Sequence, residues 1–104
     1  MLTNKQKRYL KKLAHHEKAI FQVGKSDVTE NMVKQLNDAL EKRELLKVKV
    51  LQNSSLGKEE IAQELAKGTE SEIVQIIGNQ IILYKQSNEN QTIHLPKDNE
   101  NGIR

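Results

Sequence analysis

The sequence predicts an α/β fold: a two-layer sandwich of helices on a four-stranded mixed sheet. Three observations predict it. Segments with apolar residues at helical spacing alternate with short β-type runs, so the order reads α-β-α-β-α-β-β. Two β-α-β passages favour parallel pairing through right-handed crossovers. The last two runs flank Gly78-Asn79, residues that tolerate the positive φ of a two-residue hairpin turn, and so add antiparallel pairing. A chain of 104 residues suffices for one small domain.

Thr3 reads as the N-cap of a helix over residues 4–16. At 100° per residue, Gln6, Tyr9, Leu10, Leu13 and Ala14 share one arc. Lys5, Lys7, Arg8, Lys11, Lys12 and His15 fall on the other, where no acidic residue appears before Glu17. One face suits a sheet, and the other is almost purely cationic. His15 and His16 project in different directions and no cysteine or carboxylate cluster joins them, so no metal site is expected.

Residues 19–23 read as the first strand, ending at Gly24. The turn Gly24-Lys25-Ser26-Asp27 leads into a second helix that runs to about Arg43. Asp27 with Glu30 forms a capping-box pattern, and Thr29 is the alternative cap. Met32, Val33, Leu36, Ala39 and Leu40 form this helix's core face. Leu46, Val48 and Val50 alternate with Lys47 and Lys49, so residues 45–51 read as a half-buried strand with two lysines on its other face. A polar loop over 52–57 precedes a third helix over 58–67, with Ile61, Ala62, Leu65 and Ala66 inward and Gly68 as its stop. Glu59, Glu60 and Glu64 read as surface charge, since no nucleophile or second catalytic group accompanies them. Residues 72–77 and 80–85 form the hairpin. The domain is thus expected over residues 1–86. The polar remainder, 87–104, is expected as a flexible tail with a short extended piece near 92–95.

Charge is distributed unevenly. Residues 1–25 hold seven basic residues against Glu17 alone, a net +6, whereas residues 26–104 hold ten basic and thirteen acidic, a net −3. This asymmetry points to a polyanionic partner. The absence of cysteine excludes disulfides, thiolate metal sites and thiol catalysis. No apolar run approaches the roughly 18 residues needed to cross a bilayer, and the basic amino terminus lacks the apolar core of a secretory signal. A soluble, cytoplasmic protein is expected, without membrane partner or cofactor.

The turn at Gly24 is where anion chemistry is expected. Glycine permits close backbone approach, the start of a helix presents free N–H groups and a positive dipole end, and Lys25 adds a mobile charge. These features suit the phosphate backbone of RNA.

Several spaced blocks carry a family resemblance. They are Leu13-Ala14-His15-His16, Gln22-Val23-Gly24-Lys25, Val28-Thr29-Glu30-Asn31, Ala39-Leu40-Glu41 and Glu44-Leu45-Leu46-Lys47-Val48-Lys49-Val50. The series continues through Val74-Gln75-Ile76-Ile77-Gly78-Asn79 to Leu83-Tyr84-Lys85. In this order they resemble the CRM domain, the RNA-binding module of chloroplast RNA splicing and ribosome maturation, and more closely its stand-alone bacterial YhbY-type form. The resemblance covers about residues 2–86. It implies the same α-β-α-β-α-β-β fold, similar to the carboxy-terminal domain of translation initiation factor three. It also implies RNA binding, association with precursors of the large ribosomal subunit, and a Gly-x-x-Gly loop that clamps the nucleic-acid backbone as in KH domains. Here the second glycine of that loop is replaced by Asp27.

The expected RNA-binding residues are therefore Lys5, Lys7, Arg8, Lys11, Lys12 and His15 on the first helix. Gly24, Lys25, Ser26, Asp27 and Thr29 join them at the turn, and Lys47 and Lys49 on the second strand. With Phe21 and Tyr84 expected inside strands, exposed aromatic platforms are scarce, so backbone-directed recognition of structured RNA by a monomer is expected rather than base-by-base readout. The rival reading is a basic protein-interaction module docking on an acidic partner surface. An enzyme is not expected: the chain has no P-loop, no metal-ligand cluster and no nucleophile–base pair at motif spacing.

Overall fold

A computed structural model describes residues 2–24, 28–52 and 57–96. Three helices and four strands follow in the order α1 (Asn4–His15), β1 (Phe21–Val23), α2 (Glu30–Arg43), β2 (Leu45–Val50), α3 (Lys58–Thr69), β3 (Glu72–Ile77) and β4 (Gln80–Tyr84). The element order is the expected one, and the four strands form a single mixed sheet in the order β1-β2-β4-β3.

β1 pairs parallel with β2, through α2. The second β-α-β passage does not produce the expected parallel pair. β3 and β2 run in the same direction, but β4 inserts between them and pairs antiparallel with both. The Gly78-Asn79 turn, with Gly78 at φ 57°, folds β4 back onto β3 and places it in the slot beside β2. Its run Ile81-Ile82-Leu83-Tyr84 is buried on both faces, as a central strand requires.

A strand buried on both faces needs a helix on each side. Leu46, Val48, Val50, Ile81 and Leu83 face α2 and α3, packing with Leu36, Leu40, Ile61 and Leu65. Leu45, Val74, Ile82 and Tyr84 face the other way, against Leu2, Leu10 and Ala14 of the amino-terminal segment and α1. The expected two-layer sandwich is thus completed by α1 as a third layer.

Local signals explain the helix ends. The Thr3 hydroxyl accepts from the Gln6 N–H at 3.1 Å while the Gln6 side chain accepts from the Thr3 N–H, closing a capping box around α1. Thr29, rather than the alternative residue Asp27, which lies outside the described residues, is the observed cap of α2; its hydroxyl accepts from Met32 N–H. Gly68 does not stop α3. The helix runs one residue further and ends at Glu70 in left-handed geometry, φ 56°. Gly68 serves helix packing instead: a Cβ there would lie 3.0 Å from Val33 Cγ1 of α2.

Residues 87–96 carry no regular structure, yet they are held against the domain. The carboxylate of Glu44, whose residue is buried at φ 66° beyond the end of α2, accepts from the backbone N–H groups of Ser87 (2.7 Å), Thr92 (2.8 Å) and Ile93 (2.9 Å). Glu41 accepts from the Ser87 hydroxyl and from the N–H groups of Asn88 and Glu89. Burial pushes the Glu44 carboxyl up, but the three N–H donors outweigh it and hold the group below the ordinary glutamate value. Beyond them Ile93 and Leu95 pack on the α1-side cluster, and Pro96 O accepts from the Gln6 side chain. The segment is a strap from the end of α2 to the start of α1.

Candidate nucleic-acid interface

α1 presents its buried residues, Leu10 and Ala14, to the sheet, and Arg8, Lys11, Lys12 and His15 to solvent, with Lys5 and Lys7 half-buried at the flanks. The helix carries five lysine or arginine residues, and no acidic residue occupies its first turn. Among the described residues these five take part in no ion pair within 4 Å; the pair observed nearby, Arg43 to Glu17 at 3.8 Å, is exposed and weak. The His15 and His16 rings meet edge to face with centroids 5.8 Å apart. No group of three His, Cys, Asp or Glu side chains suited to a metal ion occurs among the described residues.

The lysines of β2 lie on the same side of the sheet as α1. Leu45 belongs to the cluster beneath α1, so alternation puts Lys47 and Lys49 on that face, half-buried and exposed respectively. They form a line leading away from the helix. At its far end Leu51 N–H donates to Val23 O at 2.8 Å and Val50 N–H to Asn79 O at 2.7 Å, which ties the ends of β1 and β2 to the β3–β4 turn. Gly24 follows directly. α1 and Gly24 therefore mark opposite ends of one sheet face, roughly 17 Å apart along the six residues of β2, with two lysines between them.

Lys25, Ser26 and Asp27 lie outside the described residues. The Thr29 hydroxyl is engaged as a helix cap, so its contribution is to start α2 immediately after the turn. One cation at this end was not singled out from the sequence. Lys58, at the first position of α3, donates from Nζ to Gly78 O at 2.7 Å. A lysine at a helix start opposes the dipole, and that misplacement is the signal that could have marked it. Phe21 is half-buried and Tyr84 buried, as expected, while Tyr9 on α1 is 37 % exposed.

Comparison with known proteins agrees with this architecture. The chain is 57 % identical over 96 residues to the Bacillus subtilis protein named "Probable RNA-binding protein YqeI", covering 92 % of this chain and all of that one. It is 36 % identical over 96 residues to a Haemophilus influenzae protein named "RNA-binding protein", covering 92 % and 96 % of the two chains. The solution structure of the Staphylococcus aureus protein SAV1595 superposes with a TM-score of 0.78 at 55 % identity, covering 92 % of this chain and all of that one. Residues 2–85 match the family model of the CRS1 / YhbY (CRM) domain, and the chain belongs to that family.

Proposed function

We propose that this protein binds structured RNA mainly through its phosphate backbone, acting on ribosomal RNA in large-subunit precursors during ribosome assembly. The observation that carries the reading is the unopposed cationic face of α1, continued by Lys47 and Lys49 on the same side of the sheet. Lys5, Lys7, Arg8, Lys11, Lys12 and His15 neutralise phosphates at one end of that face. Gly24, Lys25, Ser26 and Asp27 approach the backbone at the other, with Thr29 fixing the helix behind them. The names of the relatives from Bacillus subtilis and Haemophilus influenzae support RNA as the partner. The ribosomal target rests on the family resemblance. The protein acts as a cytoplasmic monomer, by binding and without catalysis or cofactor.

Sedimentation of a cell extract at low and moderate salt tests the proposal. The protein should comigrate with large-subunit precursors, and raising the salt should release it, since each phosphate contact adds a counterion-release term. Lys25→Glu, or Lys11→Glu with Lys12→Glu, should abolish comigration. A protein that stays at the top of the gradient at both salts overturns the ribosomal role. Comigration indifferent to the charge reversals discards this binding face.

A further inference from the structure

α1 covers one end of its side of the sheet, over Leu45, Val74, Ile82 and Tyr84. The other half is open, and cross-strand rows line it. Gln22 registers with Lys49, Lys49 with Gln80, and Gln80 with Ile77, so these four side chains form one row across all four strands. Ile20, whose N–H donates to Lys47 O at 3.3 Å, begins the adjoining row. The large apolar residues exposed among the described ones are Tyr9, Ile20 and Ile77, and two of these three stand at the two edges of this half-sheet, 44 % and 53 % exposed. Their neighbours Phe21 and Ile76 pack into the opposite core, which by alternation fixes Ile20 and Ile77 on the open side.

The composition of this row discriminates between forms of RNA. A duplex offers phosphates and riboses, which engage the lysines and the glutamine amides but leave the isoleucines without a role. An unpaired nucleotide offers a phosphate, an apolar base face and a base edge bearing donors and acceptors. Lysine, isoleucine and glutamine complement these three in turn, the glutamine amide supplying both a carbonyl acceptor and two N–H donors. Four strands about 4.8 Å apart give the row a span of roughly 14 Å, room for the two or three nucleotides that other four-stranded RNA-binding sheets accommodate.

We infer that the open half-sheet binds an unpaired RNA segment, with Gln22 and Gln80 reading base edges, Ile77 lying against a base face and Lys49 on the phosphate between. The inference rests on the RNA-binding reading and adds a selectivity that the α1 cations alone do not give. Phosphates on α1 supply affinity, and the half-sheet selects RNA with a bulge or internal loop.

The test uses a blunt RNA duplex and the same duplex carrying a three-nucleotide bulge, titrated at one salt concentration against three proteins. Wild type should prefer the bulged RNA on the order of tenfold. The Gln22→Ala/Gln80→Ala/Ile77→Ala variant should bring the ratio of the two affinities close to one, its thermal melt confirming the fold. Lys11→Glu/Lys12→Glu should weaken both complexes while keeping their ratio. Equal wild-type affinity for the two RNAs, or a preference that survives the triple substitution, overturns the inference while leaving RNA binding intact. A wild type that binds neither RNA overturns the RNA-binding reading itself, and this inference with it.

Discussion

The two faces of the sheet solve different problems. The face under α2 and α3 is closed: Leu36, Leu40, Leu46, Val48, Ile61, Leu65, Ile81 and Leu83 meet there with little or no exposure. The helices above it are near charge balance, α2 with three basic and three acidic residues and α3 with two and three. The face under α1 is half open, and its helix carries five cations and no acid. Lys7 with Lys11, and Arg8 with Lys12, repel at i, i+4 spacing, and cations in the first turn oppose the dipole. Each conflict costs a few tenths of a kcal/mol in an isolated helix. α1 holds because its capping box, its buried Leu10 and Ala14, and the strap across its start compensate. The larger buried cluster lies on one side of the sheet, and charge held against repulsion on the other.

Core truncations should break this comparison hardest. Leu65→Ala, on the closed face, should cost about 3–5 kcal/mol and lower the midpoint of urea unfolding for the whole domain. Leu10→Ala removes a side chain just as buried, but its effect should concentrate in α1. Hydrogen exchange should then show early opening of residues 4–15 while β2 and β4 stay protected. Uniform loss of protection in both variants would show that the faces do not differ in this way.

Charge reversals come next. Lys11→Glu with Lys12→Glu should weaken RNA binding about a hundredfold and flatten its salt dependence. Lys34→Glu with Lys67→Glu reverses as many charges on the closed side and should change affinity by less than about threefold, apart from the long-range field. Equal losses from the two pairs would mean that net charge, not this face, controls binding.

What the sequence made legible follows the same division. Periodicity found the helices and β2, whose apolar residues repeat or alternate toward one face: Leu46, Val48 and Val50 inward, Lys47 and Lys49 outward. Apolar runs and the Gly78-Asn79 turn marked the other strands. Periodicity could not show that β4 lies between β2 and β3, since strand order is set by which apolar runs need covering twice. The run Ile81-Ile82-Leu83-Tyr84, apolar at consecutive positions, was the available sign of a central strand and of helices on both sides. The cations of the candidate face, Lys58 excepted, could be read from their clustering in residues 1–25 and their alternation on β2. Their arrangement could not, because only the register carries Gln22, Lys49, Gln80 and Ile77 into one row. The strap was invisible for a different reason. Residues 87–96 are polar and lack a period, and what holds them is a pair of glutamates four decades of sequence away, Glu41 and Glu44.

The strap gives the third prediction. Glu41 and Glu44 both titrate below the ordinary glutamate value: Glu41 through the Ser87 hydroxyl and then the N–H groups of Asn88 and Glu89, Glu44 because its N–H donors outweigh burial. A depressed folded-state value means that the unfolded chain takes up protons first as pH falls. Their contribution is therefore complete above the usual glutamate range, near 4.5, and is lost as pH drops through the folded-state values. Glu44→Gln should cost about 1–2 kcal/mol at neutral pH through the lost charged hydrogen bonds. It should also flatten the fall in stability on acidification. A variant whose stability drops with acid as steeply as wild type would show that Glu44 does not anchor the strap as a carboxylate.

The smallest effect belongs to the closed face and bears on how tightly it is packed. Gly68 sits inside α3, where alanine is favoured by about 1 kcal/mol, but its missing Cβ leaves room for Val33, with Cγ1 and Cγ2 at 3.0 and 3.1 Å from where a Cβ would stand. The valine must shift a few tenths of an ångström. It has somewhere to go, because Val33 and Gly68 border a groove also lined by Val28, Lys34 and Asn37. Gly68→Ala should therefore stabilise slightly, by about 0.5 kcal/mol, the helix gain exceeding the packing cost. In a Val33→Ala background the obstacle is gone and the same substitution should gain the full ~1 kcal/mol. If Gly68→Ala destabilises in both backgrounds, the constraint is not Val33. If it destabilises only beside Val33, that valine is held, and the closed face is rigid out to the edge of its groove.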